Sequence, residues 1–181
     1  MKNNTRKLVL IALAVAINIA GSKLSVLLSL PIFLDSIGTI LAGMVLGPLG
    51  GAGVGLIGGL VNGALGDIYS IYFSPSAIIM GLMAGLLLHN RKTSNLSMLW
   101  KTFLIVLPAS IVSAFIETVV FGGVTSATFT TAAIALLSHT AMTLFGSAFV
   151  TQLITDYVDK LLAVALVRAS YKHMPDNLKH F

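Results

Sequence analysis

Apolar residues run along this chain in long blocks without strand-like alternation, a pattern that predicts helices. The first block is Leu8 to Leu28, and the candidate spans fall at roughly 7–28, 32–47, 50–66, 75–89 and 98–121. An oversized helical region follows from about 132 to 169. A helix crosses a hydrocarbon core with about 20 apolar residues, within a range near 17–25. The second, third and fourth spans are short, so they are expected to tilt little or to stop below the outer interface. The first block is too long for a signal-peptide core and shows no small-residue cleavage pattern, so it is expected to be retained. The reading is an all-α integral membrane protein: a single membrane domain over 1–181 with six transmembrane helices.

The last region can be drawn in two ways. A span over 134–155 would leave Asp156, Asp159 and Lys160 at the inner interface, with 161–171 lying along it. A span over about 146–169 would put those charges inside the membrane and make 122–145 an outer lid. Asp156 and Lys160 are four apart and can pair on one helix face. A single long, tilted or kinked helix merges the drawings and is the preferred expectation.

Residues Pro31 to Pro75 are the most distinctive stretch, two apolar spans joined by a Gly-Pro turn. Glycines 43, 47, 51, 55, 59 and 63 fall every fourth residue, the small-xxx-small spacing that lets helix backbones approach closely in lipid. Intramolecular packing is the simplest role for this ladder. Gly53-Val54-Gly55-Leu56-Ile57-Gly58 fits a dinucleotide fingerprint by letter only, because it lies within an apolar span and lacks the strand that must precede it. Ala12, Ala16 and Ala20 form a second stripe of small residues, suited either to internal packing or to docking on a partner helix.

Composition agrees with the hydropathy pattern: 56% of the 181 residues are apolar and 9% charged, against about 45–50% and 25% in soluble domains. The net charge of +5 does not indicate nucleic acid, because the basic residues sit in short pieces between apolar spans. With six spans, Lys2, Arg6, Lys7, Arg91, Lys92, Lys101, Arg168, Lys172 and Lys179 share one side and Lys23 approaches the other. The positive-inside rule then places both termini in the cytoplasm. There is no cysteine, which excludes disulfides and thiolate chemistry.

Polar residues gather at the outer ends of the spans. Asp35 begins the second span, either as a helix cap with Ser36 or as a ligand group. Asn62 and Asp67 close the third, and Tyr69, Tyr72 and Phe73 follow in an aromatic connector. That connector reads as an interfacial belt or as a stacking surface for a flat polar ligand. Glu117 lies in an otherwise apolar span with no basic residue nearby, and a carboxylate at such depth faces a cavity or a partner. His139, between Ser138 and Thr140, is a ligand contact or a helix cap. Gln152 and Asn18 read as interhelical hydrogen-bond glue. His89, His173 and His180 read as cytoplasmic. No nucleophile elbow, phosphate loop or metal-spaced cluster such as HExxH occurs, so neither an enzyme nor a metal site is expected.

The alanine stripe 12-16-20, the block LPIFLDSIGTILAGMVLGPLGGAGVGLIGGLVNG (30–63), the loop DIYSIYFSP (67–75) and the Asp159-Lys160 pair together cover most of the chain. In these the chain resembles the substrate-binding S component of energy-coupling-factor (ECF) vitamin transporters. The resemblance implies a six-helix, vitamin-capturing subunit in the bacterial plasma membrane, without a cofactor of its own. It implies a transmembrane coupling subunit and two cytoplasmic ATPases as partners, with Ala12 and Ala16 at the coupling-subunit interface. It also implies transport by toppling, driven by ATP used in the partner subunits. The substrate would be held by the outer loops and helix ends, which carry Asp35, Asn62, Asp67, Tyr69, Tyr72, Phe73, Glu117 and His139. The aromatic loop most resembles members assigned to hydroxymethylpyrimidine or vitamin B6. Trp100, the single tryptophan, lies on the cytoplasmic side, which argues against thiamine, and cobalamin-type members share much of the 30–63 block. A membrane scaffold or sensor subunit is the rival class.

Overall fold

The structure, a computed structural model, describes residues 2–30, 32–91, 94–125 and 128–174. Pro31, Lys92, Lys179 and His180 lie outside them. Among the described residues eight helices form: α1 (Lys2–Leu27), α2 (Ile37–Leu46), α3 (Pro48–Ala64), α4 (Ile68–Tyr72), α5 (Ser74–Leu88), α6 (Asn95–Val119), α7 (Thr128–Ser138) and α8 (Leu144–His173). Two segments, Asn4–Leu27 and Asn95–Val119, are long and apolar enough to cross a membrane alone.

The glycine ladder packs α3 against α4 and α5. A Cβ at Gly51 would lie 2.3 Å from the Gly81 carbonyl oxygen, and one at Gly55 would lie 2.5 Å from that of Ala77. Gly59 meets the Ser74 side chain and the Ser70 carbonyl, and Gly63 meets the Ile71 side chain. At Gly51 and Gly55 the α3 and α5 backbones touch directly, so a methyl group there has nowhere to go. Gly53 has nothing within 4 Å and Gly58 meets just the Asn18 amide at 3.7 Å; of the three fingerprint-like glycines Gly55 alone belongs to the ladder, and all three are interior positions of α3. The α2–α3 reversal turns at Gly47, φ 83°, with Pro48 opening α3. His89 Nδ1 sits 2.9 Å from the Met44 carbonyl, serving one of the carbonyls that the end of α2 leaves without an intrahelical partner.

Two expected spans are redrawn. The second was placed at 32–47, yet α2 starts only at Ile37. Residues 32–36 instead fold back along α1. Gly21 accommodates the Leu34 carbonyl, and Gly38 accommodates that of Ala14, where a Cβ would lie 1.9 Å from the oxygen. Ala14 is thirteen residues before the end of α1 at Leu27, so α2 begins about 20 Å down the axis of α1 at 1.5 Å per residue. Asn18 of α1 caps this sunken start: its Oδ1 accepts from the Gly38 amide at 2.7 Å and its Nδ2 donates to Thr39 Oγ1 at 2.8 Å.

The other correction is at the C-terminal end, where the single helix expected from about 132 breaks between Ser138 and Leu144. The Ser138 hydroxyl donates to Ala135 and that of Thr140 to Leu137, at 2.8 and 2.6 Å, turning the backbone out of α7. Thr143 Oγ1 then accepts from Gly146 N at 3.1 Å and opens α8. The long helix is therefore 144–173, and Asp156, Asp159 and Lys160 stand in its buried middle.

Candidate functional site

Between α1, α3 and α8, beside the sunken residues 32–36, lies a cavity of about 200 Å³. Irregular backbone at membrane depth is tolerated where it lines such a cavity. Its walls carry Phe33, Tyr69, Phe73 and Phe129, and hydroxyl groups come from Ser22, Ser25, Thr39, Ser70, Ser76 and Ser113.

One wall is a polar stripe on α8. Gln152, Asp156 and Lys160 all line the cavity; at spacing four they share a helix face and span about 12 Å. Lys160 is buried and holds three carboxylates: Asp159 at 2.6 Å, and Asp156 and Asp35 at 3.3 Å each. Its ammonium also lies 5.6 Å from the Phe33 ring centroid, within cation–π reach. Asp156 accepts a further hydrogen bond from Ser110 Oγ at 3.0 Å. Asp159 is fully buried, and its other oxygen accepts from the Leu34 amide at 3.0 Å. Leu34 holds φ 54°, a strained conformation for a branched side chain. The charged cluster thus clamps the re-entrant segment to α8, while Ser25 Oγ ties it to the Ile32 carbonyl.

The opposite wall is the C-terminal end of α3. Asn62 Nδ2 reaches Ser70 Oγ at 2.7 Å, Asp67 Oδ2 at 3.2 Å and Ser22 Oγ at 3.3 Å. Ser70 Oγ in turn donates to Asp67 at 2.7 Å. The aromatic connector converges on Phe121, whose ring centroid is 4.7 Å from Tyr69, 5.3 Å from Tyr72 and 6.0 Å from Phe73.

Of the residues read from the sequence, Asp35, Asn62, Asp67, Tyr69 and Phe73 come together around this cavity. Asp35 does not cap α2: the N-cap residue is Ser36, which makes no side-chain cap bond, the Gly38 amide goes to Asn18, and the Asp35 carboxylate meets Lys160 instead. Tyr72 packs on Phe121 outside the lining. Glu117 is fully buried one layer behind, accepting from Gln152 Nε2 at 3.2 Å. His139 is exposed just past the end of α7 and does not reach the cavity. Ala12, Ala16 and Ala20 are exposed on α1. Sequence reasoning left Gln152, Asp156 and Lys160 out of the site, although polar residues at spacing four in an apolar helix were the available signal.

A family model, ECF-type riboflavin transporter, S component, matches residues 2–171. The chain belongs to this family. An ECF S component is the substrate-binding part of a membrane transporter and not an enzyme, which agrees with an apolar, all-helical, multi-pass chain enclosing a cavity with aromatic walls and polar side chains. S components hold no cofactor themselves; they work with an ECF module of transmembrane and ATPase subunits. No curated protein and no solved structure matches the chain.

Proposed function

We propose that this S component captures riboflavin, or a close isoalloxazine, at the outer face of the membrane and delivers it through its ECF module. The observation that carries the reading is the cavity itself, with aromatic walls beside the Gln152-Asp156-Lys160 stripe and hydroxyls around it. A stripe of about 12 Å suits a tricyclic ring with a polyol tail better than the single ring of hydroxymethylpyrimidine or vitamin B6, to which the aromatic loop alone had pointed. The name of the matched family favours the same choice.

The path rests on the positive-inside reading of the charges. Six crossings with both termini cytoplasmic put the basic residues of α1 and the α5–α6 loop inside and the cavity mouth outside. The exposed Ala12, Ala16 and Ala20 strip offers α1 as the contact for a coupling subunit, and two ATPases drive toppling of the whole subunit. The test is mass spectrometry of small molecules retained on gentle detergent extraction, with co-purification of the ATPases. Retained riboflavin and recovered ATPases support the reading. Retained hydroxymethylpyrimidine, vitamin B6 or cobalamin replaces the substrate, and a folded protein that recovers no ATPase favours a scaffold or sensor subunit.

A further inference from the structure

Among the described residues, Glu117 is the one buried carboxylate that the charged cluster does not use. It is fully buried on α6, and Lys160, the lysine of the bundle core, is already committed to three aspartates. Glu117 Oε2 accepts from Gln152 Nε2 at 3.2 Å, while its Oε1 has no hydrogen-bond partner among the described residues. A carboxylate kept in such surroundings for one hydrogen bond is expensive, so what that bond does to Gln152 matters. Gln152 lines the cavity. A primary amide carries its donors on one side and its acceptor on the other. With Nε2 turned back to Glu117, the Gln152 carbonyl is the part left for the cavity.

We infer that Glu117 is a positioning residue that sets the Gln152 amide so its carbonyl accepts an N–H from the bound ring. The ligand group this selects is an imide or lactam N–H, and an isoalloxazine carries one. The assignment deepens the substrate reading above and rests on it. A site built to accept an N–H discriminates strongly against a ligand that lacks it, because the buried acceptor is then left unpaired.

The experiment is a fluorescence-quenching titration of purified protein with riboflavin and with 3-methylriboflavin, which lacks the imide N–H. Glu117→Gln keeps a carbonyl acceptor for Gln152 Nε2 and is expected to bind riboflavin within about threefold of the original protein, whereas Glu117→Leu frees the amide and weakens riboflavin about tenfold or more. The same Glu117→Leu change leaves 3-methylriboflavin binding unaltered. In a Gln152→Leu background, Glu117→Leu has no further effect on riboflavin, as expected of residues acting through one another.

Equal weakening of both ligands by Glu117→Leu, or additive losses in the double variant, would overturn the assignment and make Glu117 a packing residue. Loss of riboflavin binding in Glu117→Gln as severe as in Glu117→Leu would overturn it too, since charge and not the acceptor would then matter. If the unaltered protein does not bind riboflavin, the substrate reading fails and takes this inference with it. Circular dichroism and gel filtration of each variant separate these outcomes from misfolding.

Discussion

Replacing Lys160 by Met removes the ammonium while keeping an unbranched apolar stem of similar volume. Its three partners do not lose equally. Asp159 is fully buried and 2.6 Å away, Asp156 has a side chain 10% exposed at 3.3 Å, and Asp35 has one 47% exposed at the same distance. Removing one member of a buried ion pair costs about 3–5 kcal/mol, because the other charge is left uncompensated. An ion pair with a half-exposed carboxylate is worth about 0–1 kcal/mol. The expected loss for Lys160→Met is therefore about 3–5 kcal/mol, carried by Asp159 and Asp156, whereas Asp35→Asn costs at most about 1 kcal/mol.

Asp159→Asn in the Lys160→Met background should recover part of the loss. The amide removes the stranded charge and still offers an oxygen to the Leu34 N–H. The assay is reversible unfolding in mixed detergent and dodecyl sulfate micelles, followed by circular dichroism at fixed pH. If Lys160→Met lies within 1 kcal/mol of the original protein, or Asp35→Asn costs as much as Lys160→Met, the cluster does not clamp the 32–36 segment to α8 (a threshold of about 1 kcal/mol is the upper value for an exposed pair).

Three further outcomes follow from the packing. Gly81→Ala forces a methyl group to within 2.3 Å of the Gly51 backbone and should lower stability by at least the about 1–3 kcal/mol typical of overpacking; Gly53→Ala, with open space around it, should be neutral or stabilising in the same unfolding assay. Phe121→Ala removes three ring contacts, each worth about 0.5–1.5 kcal/mol, and should loosen the 67–73 connector, seen as faster amide exchange there. Asn62→Leu breaks the Ser22–Asp67–Ser70 network and should weaken riboflavin binding about tenfold, the equivalent of roughly one net hydrogen bond to a charged group, measured by equilibrium titration.

The glycine ladder could be read from the chain because a four-residue repeat fixes one helix face whatever that face meets. The polar ends of the hairpin were also visible in the chain, and Asp35, Asn62 and Asp67 do line one cavity. What could not be read was depth. Ile32 to Leu34 are apolar and look like the start of a helix, yet Leu34 takes a left-handed conformation held from Asp159, 125 residues away. No local rule supplies a partner at that distance. The same separation hid the Asp35–Lys160 contact. The break after Ser138 was hidden differently, since it uses hydroxyl-to-backbone bonds of Ser138, Thr140 and Thr143 without proline or glycine. Glu117 and His139 were judged alike as polar residues near the outer face, but one lies behind the cavity wall and the other in the open.

The central claim is that the cavity beside the Gln152-Asp156-Lys160 stripe takes a flavin. Its most direct measurement is titration of riboflavin with purified protein, freed of endogenous ligand and held in detergent or nanodiscs, following quenching of the flavin's fluorescence. The account predicts saturable quenching at one riboflavin per chain, displaced by neither hydroxymethylpyrimidine nor pyridoxine. Unquenched riboflavin alongside tight binding of either smaller ring by the same folded preparation would contradict it.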